Sequence, residues 1–308
     1  MRYPSLTRPA RPLDPPSPHR LTRRDASGGP GGPQPPLVAV AHGSADPRAA
    51  ASTQELMGLV RGLAGRNGWP EPDIRTAFLG HAPPSVGQVL GALAGDSAAG
   101  EWAAGDSAAT PRAAVVLPLL LTAAYHSEVD LPALLAESGR DWPGLGIHYG
   151  DPLGPDPLLL RALDRRMAEA SPAAWPAAET SVVLAAAGSA RPESNAVIAA
   201  LARQWQAARG WRAVIPAYAA AAAPSPAEAV ASLRRAGARR VVVATYLLAP
   251  GFFADRIAVS ARAAGAVAVS AALGAAPEVA ELVLRRYAEA LGRPAMAATA
   301  GPTVLAAR

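Results

Sequence analysis

A chain of 308 residues that is 50% apolar and only 17% charged has material for one large or two medium α/β bodies with a sizeable core. It holds no Cys, which excludes disulfides and thiolate metal sites and leaves His, carboxylate, backbone or substrate groups as possible ligands. Most of the formal net charge of +5 sits in residues 1–36, where Arg2, Arg8, Arg11, Arg20, Arg23 and Arg24 stand against Asp14 and Asp25. The nearly neutral remainder argues against a nucleic-acid footprint, which needs a basic face on the fold.

Residues 1–36 are rich in Pro, Arg, Gly and Ser with almost no apolar periodicity, and read as a disordered extension. No apolar run follows Arg23-Arg24, so no secretory or twin-arginine signal is expected. No stretch reads as a membrane span, and the expected location is the cytoplasm.

From Leu37 onward the pattern alternates strand and helix. Leu37–Ala41 is a short apolar strand ending in His42-Gly43-Ser44, and Pro47 opens a helix to about Gly65. A strand over 74–79 and a helix over 85–93 follow, then a strand over 113–117, a loop over 121–130 and a helix from Leu131. A strand over 145–149 and a helix over 157–170 complete the first half. This order predicts an α/β fold with a mainly parallel sheet, right-handed crossovers and helices on both faces.

The second half repeats the first. Ala41-His42-Gly43-Ser44 corresponds to Ala186-Ala187-Gly188-Ser189, and Pro84-Ser85 to Pro224-Ser225. Leu119-Leu120-Leu121, leading to His126, corresponds to Tyr246-Leu247-Leu248, leading to Phe253, and Leu153-Gly154 to Leu273-Gly274. The first half is longer between the second and third of these landmarks. A low-complexity insert accounts for it: residues 95–112 hold Gly-Asp-Ser-Ala-Ala twice. The sequence thus predicts two tandem α/β units over 37–174 and 175–291, joined through Trp175–Thr180, with a tail over 292–308 and a cleft between the units.

Four of the five histidines (His42, His81, His126 and His148) fall in the first unit, the fifth (His19) in the extension, and none in the second unit. Ala187 and Phe253 stand where the first unit has His42 and His126. Both positions follow strands of a parallel sheet, at the carboxyl edge where ligands bind. His81 follows the second strand and can reach the same edge, whereas His148 lies within the fourth strand and reads as structural.

Two stretches carry a family resemblance. Val40-Ala41-His42-Gly43-Ser44, with Asp46-Pro47-Arg48, and Pro118-Leu119-Leu120-Leu121, with Tyr125-His126-Ser127 and Val129-Asp130-Leu131-Pro132, resemble the two signatures of the sirohydrochlorin chelatases. Phe78-Leu79, Pro84-Ser85 and Asp151-Pro152-Leu153-Gly154 fit as well. The resemblance spans about residues 37–290 and implies a class II chelatase fold. It implies insertion of Co²⁺ or Fe²⁺ into sirohydrochlorin without ATP, in cobalamin or siroheme biosynthesis. The metal is then a substrate, and no cofactor is held permanently. The signatures place the catalytic pair at His42 and His126. Relatives tend to carry an acidic residue where this chain has Gly80, so His81 is a candidate for the third polar role.

That chemistry suits the residues. Insertion must remove two pyrrole protons while a metal sheds water, and imidazole both accepts protons near neutral pH and ligates borderline divalent ions. His42, His126, His81 and Glu128 are the candidate metal ligands. Ser44, Arg48 and Tyr125 are the candidate substrate-binding residues, with Ser44, Arg48 and the helix N-terminus after them suited to the carboxylates of the macrocycle. The chain has no Lys and no Gly-x-x-x-x-Gly-Lys run, so an ATP-driven mechanism is not expected. Neither nucleic acid nor membrane is an expected partner, and the fused units suit a monomer that is a pseudo-dimer. Two alternatives remain: a non-catalytic tetrapyrrole or metal carrier, and a histidine phosphatase-like enzyme, which normally wants Arg where Ala41 stands.

Overall fold

The structure, a computed structural model, describes residues 34–66, 72–99, 112–122, 130–171 and 175–296. In chain order the first unit holds β1 (Leu37–Ala41), α1 (Pro47–Arg66), β2 (Ile74–Phe78), α2 (Val86–Ala99), β3 (Arg112–Pro118), α3 (Leu131–Asp141), β4 (Leu145–Tyr149) and α4 (Pro157–Glu169). The second holds β5 (Thr180–Ala186), α5 (Pro192–Arg209), β6 (Ala213–Tyr218), α6 (Pro226–Arg235), β7 (Arg240–Tyr246), α7 (Phe252–Ala263), β8 (Ala268–Val269) and α8 (Pro277–Leu291).

Two parallel four-stranded sheets result, in the orders β2-β1-β3-β4 and β6-β5-β7-β8. Their registers repeat. Ala41 faces Phe78 as Ala186 faces Tyr218, Leu37 faces Val115 as Val182 faces Val242, and Val115 faces His148 as Val242 faces Ala268. The sequence landmarks therefore mark equivalent places in two tandem α/β units.

Strand periodicity builds three apolar layers, because alternate side chains point to opposite faces. Val38 and Val40 of β1 join Val89, Leu90 and Leu135 on an outer face under α2 and α3. Val183 and Ala185 of β5 join Val230 and Ile257 under α6 and α7 on the other outer face. Leu37, Ala39 and Ala41 point inward with Val182, Leu184 and Ala186, and share one central layer with α1, α4, α5 and α8.

Within that layer the last helix of each unit crosses over. Helix α4 packs on β7 of the second sheet, and α8 packs on β3 and β4 of the first. Arginines fasten the exchange reciprocally. Arg165 of α4 binds Glu278 at 2.7 Å and Arg166 donates to Leu273 O; Arg285 of α8 binds Asp156, and Arg286 donates to Pro152 O at 3.1 Å. Burial of Leu159, Leu163, Val283 and Leu284, at about 1.5–3 kcal/mol for each fully buried side chain, outweighs these part-exposed ion pairs as the force holding the units together.

The packed chain extends past both sequence-read ends. Pro35 O accepts from the Tyr287 hydroxyl at 2.7 Å and Pro36 O from Val115 N at 2.9 Å, so the extension joins the fold before Leu37. At the other end Met296 N donates to Ile147 O, Arg293 pairs with Asp151, and Arg293 O meets His148 Nδ1 at 2.8 Å. Part of the tail thus covers the β4 edge. Helix α2 runs to Ala99, so the start of the Ala-rich insert is helical. The join over Trp175–Thr180 is also structured: Ala177–Glu179 forms a 3-10 turn, and Trp175 Nε1 donates to Met167 O.

Candidate functional site

His42 follows the last residue of β1, and the next residue sets the turn. Gly43 has φ +88°, and a Cβ there would lie 1.8 Å from Gly80 O. Gly188 repeats this, with φ +89° and 2.0 Å to Ala220 O. Only glycine permits that close approach, and it locks the loop after β1 onto the loop after β2. The lock is completed by Leu79 N donating to Ala41 O and Gly80 N to His42 O.

This brings the His81 ring to 6.5 Å from that of His42, centre to centre, at an interplanar angle of 53°. His81 has φ +62°, unusual for a residue with a Cβ. Ala221, its counterpart, has φ 58°. The strained backbone is therefore a property of the fold; the imidazole on it belongs to the first unit alone.

The two rings open on a cleft of about 650 Å³, faced by Leu134, Glu137 and Arg140 of α3. Gly80 lies between the rings in the sequence and lines the same cleft, with nothing within 4 Å of where its Cβ would be. The space for a side chain there is open. Among the described residues the lining all comes from the first unit, whereas the sequence placed the cleft between the units. Two residues beyond His42, the second unit comes close: a Cβ on Gly251 would lie 3.9 Å from Ser44 Oγ.

Among the described residues no group of three or more His, Asp or Glu is arranged to hold a metal. The pair alone is also too wide to chelate as it stands. With metal–nitrogen bonds of about 2.0–2.1 Å, the ring centres of two tetrahedral imidazole ligands lie roughly 5 Å apart. The rings must approach, or each must face a different part of the substrate.

The structure places the other candidates as follows. Ser44 Oγ accepts from Asp46 N at 3.1 Å. Asp46 caps α1 by accepting from Arg48 N at 2.9 Å, so the helix N-terminus proposed for substrate carboxylates already holds one from the chain itself. Arg48 is bound on two sides, to Asp46 at 2.5 Å and to Asp255 of α7 at 2.6 Å. The hydrogen bonds from Arg48 hold the Asp46 carboxyl below the usual range, and the same two carboxylates push the Arg48 pKa up. Its guanidinium bridges the units, and a substrate carboxylate would have to displace Asp255. Tyr125, His126 and Glu128 lie outside the described residues. His148 sits mid-strand on the β4 edge, away from the cleft.

Sequence reasoning missed the α3 wall and Asp255. The first was within reach, because Leu134, Glu137 and Arg140 share a face once the helix start at Leu131 is fixed. The second was not, because its partner is 207 residues away.

Comparison with known proteins agrees with this architecture. Among solved structures, SirB from Bacillus subtilis with Fe³⁺ superposes with a TM-score of 0.67 at 23% identity, over 84% of this chain and 96% of that one. The same enzyme type from Bacillus subtilis subspecies spizizenii, in complex with cobalt, gives a TM-score of 0.63. In sequence, a sirohydrochlorin cobaltochelatase of Priestia megaterium is 28% identical over 144 residues, which is 46% of this chain and 47% of that protein. A sirohydrochlorin ferrochelatase of Bacillus subtilis is 28% identical over 142 residues, 46% of this chain and 53% of that protein. The chain thus spans about half the length of the curated relatives it matches. The CbiX family model matches residues 36–170 and again 181–290, one match for each sheet, and the chain therefore belongs to the CbiX family.

Proposed function

We propose that this protein inserts a divalent metal, Co²⁺ or Fe²⁺, into sirohydrochlorin without ATP, as a cytoplasmic step of cobalamin or siroheme biosynthesis. One observation carries the reading. Two imidazoles, His42 and His81, share a cleft at the carboxyl edge of the first sheet, while the second unit keeps the same backbone with Ala187 and Ala221. The first unit, over 37–174, is the catalytic one, and the second, over 175–291, is a degenerate copy that supports it.

In this reading His42 and His126 are the catalytic pair, and His81 stands in for the acidic group absent at Gly80. Neutral imidazole accepts a pyrrole proton or holds the incoming ion weakly enough to release it. His42, His81, His126 and Glu128 are the residues that handle the metal. Ser44 and Tyr125 contribute to seating the macrocycle, and Arg48 acts on the substrate indirectly, by holding the margin of the cleft against α7. No resident cofactor is required, since the metal is consumed, and the fused units suit a monomer.

The test is anaerobic insertion of Co²⁺ and Fe²⁺ into sirohydrochlorin, followed by the change in its absorption spectrum. Turnover by the wild type and a loss of about 10²-fold or more in His42→Ala, the usual scale for a positioned acid–base group, are expected. Binding of sirohydrochlorin without turnover would favour a carrier and overturn the enzymatic reading.

A further inference from the structure

Facing the imidazoles is a helix surface that the family signatures do not cover. Helix α3 buries Leu131, Leu135 and Ser138 against the sheet. The alternating face, with Leu134, Glu137 and Arg140, is exposed and forms the opposite wall of the cleft. The spacing of three residues keeps these side chains on one stripe.

Arg140 is the unusual member. Several arginines elsewhere are committed: Arg48 to Asp46 and Asp255, Arg285 to Asp156, and Arg293 to Asp151. Among the described residues Arg140 has no hydrogen-bond or ion-pair partner, although Glu137 lies one turn before it on the same stripe. A planar fork of donors, unpaired and at the rim of a 650 Å³ cleft, matches the geometry of a carboxylate. Leu134, 40% exposed in the same wall, presents an apolar surface of the kind that seats a flat ring system. Along the stripe the wall thus runs from the apolar Leu134, past the Glu137 carboxylate, to the Arg140 cation. The apolar contact and the cation suit a disc with an apolar face and anionic side chains at its edge, and Glu137 turns such side chains toward Arg140 by like-charge repulsion.

We propose that Arg140 is a substrate-binding residue that pairs with a peripheral carboxylate of the macrocycle, while Leu134 bears on the ring face. The proposal rests on the chelatase reading above and adds the residue that selects a polycarboxylate. It assigns Arg140 to binding and orientation, and leaves proton and metal handling to the imidazoles.

The experiment measures equilibrium binding of metal-free sirohydrochlorin by the full chain, together with KM and kcat for Co²⁺ insertion. Wild type, Arg140→Gln, Arg140→Lys and Arg203→Gln are compared; Arg203 is an exposed arginine on α5, so its loss changes net charge equally. Arg140→Gln should weaken binding and raise KM about tenfold, the scale of one charge-assisted hydrogen bond at an open site, with kcat nearly unchanged. Arg140→Lys should recover part of the loss, because it keeps the charge without the fork. The deficit should shrink for a tetrapyrrole with fewer carboxylates, and Arg203→Gln should behave as wild type. Equal binding by wild type and Arg140→Gln overturns the proposal while leaving the chelatase reading intact. A wild type that neither binds nor metallates sirohydrochlorin overturns both.

Discussion

The hydroxyl of Tyr246, the last residue of β7, donates to the carbonyl of Leu121 at 3.2 Å. Leu121 stands five residues before His126 in the sequence, so a residue of the copy without histidines holds the backbone just ahead of a histidine of the copy that has them. Tyr246 is buried, and burial, with Asp156 nearby, pushes its hydroxyl well above the usual tyrosine range. It therefore acts as a neutral donor. Tyr246→Phe should cost about 1 kcal/mol of stability. It should also slow insertion about tenfold, short of the ~10²-fold that a full ångström of misplacement costs. Thermal melts beside steady-state kinetics separate the two effects, and unchanged kinetics would remove the positioning role.

The imidazoles divide by location. His81→Ala should lower insertion about tenfold or more, because it removes one of the paired rings. His148→Ala should leave turnover near wild type and lower the melting temperature slightly, because its contact is with Arg293 O on the β4 edge. Equal kinetic losses in both variants would dissociate activity from the cleft.

The two neighbouring glycines should respond oppositely to a side chain. At Gly80 the space is open, so Gly80→Glu should fold and place a carboxylate beside both rings. Co²⁺ binding measured by calorimetry should tighten, by about tenfold given the preference of divalent ions for mixed imidazole and carboxylate sites. At Gly43 a Cβ would collide with Gly80 O, and the positive φ adds strain of about 1–3 kcal/mol. Gly43→Ala should therefore lose the site and much of the stability, and a stable, active Gly43→Ala would contradict the lock between the two loops.

Acid should loosen the exchanged helices. Burial alone would raise the Glu278 pKa, but the hydrogen bond from Arg165, a backbone hydrogen bond and the charges of Arg165 and Arg161 together more than offset it and leave the group below its ordinary 4.5. A carboxyl with a lowered folded pKa contributes stability in full above the unfolded value, and the contribution disappears as pH falls through the lowered one. Melting temperature should thus hold from pH 7 to about 5 and decline below about 4.5. In Glu278→Gln the decline should be shallower, and an identical slope would show that this pair contributes nothing to it.

Truncation locates the true start of the fold. Removing residues 1–33 should leave melting and insertion unchanged. Removing residues 1–36 strips acceptors from the Tyr287 hydroxyl and Val115 N and should cost about 1–3 kcal/mol for each donor left unsatisfied in the interior. Equal melting temperatures for the two truncations would argue that these contacts are dispensable.

Much of this was legible in the sequence because it is local. The short apolar run Leu37–Ala41 ahead of His42-Gly43-Ser44 declares a buried strand, Pro47 declares a helix start, and the structure keeps β1, β4 and the start of α3 where the pattern put them. The register of the two sheets follows the landmarks for the same reason, since a strand pairing fixed at one end is fixed throughout. What stayed hidden is non-local. Nothing in the apolar stripe of α8 says which sheet it will cover, because both offer the same surface. Arg48 reads as a free donor until Asp255 arrives from the other unit. Arg140 was passed over because an arginine in the last turn of a helix is ordinary and favourable there; only its place on the cleft wall distinguishes it.

The crossing of α4 and α8 has a consequence for how the chain is made. Synthesis runs from the N-terminus, and domains generally fold as they emerge. Here the sheet bearing His42 and His81 cannot do so in full: α1 covers its inner face beside β2, but the part over β3 and β4 stays uncovered until α8, at residues 277–291, has left the ribosome. Every strand of that sheet is finished by residue 149, so the apolar surface over β3 and β4 must wait through most of the second copy. A message cut short between β4 and α8 would yield a protein with every histidine of the first unit and a sheet left bare over β3 and β4.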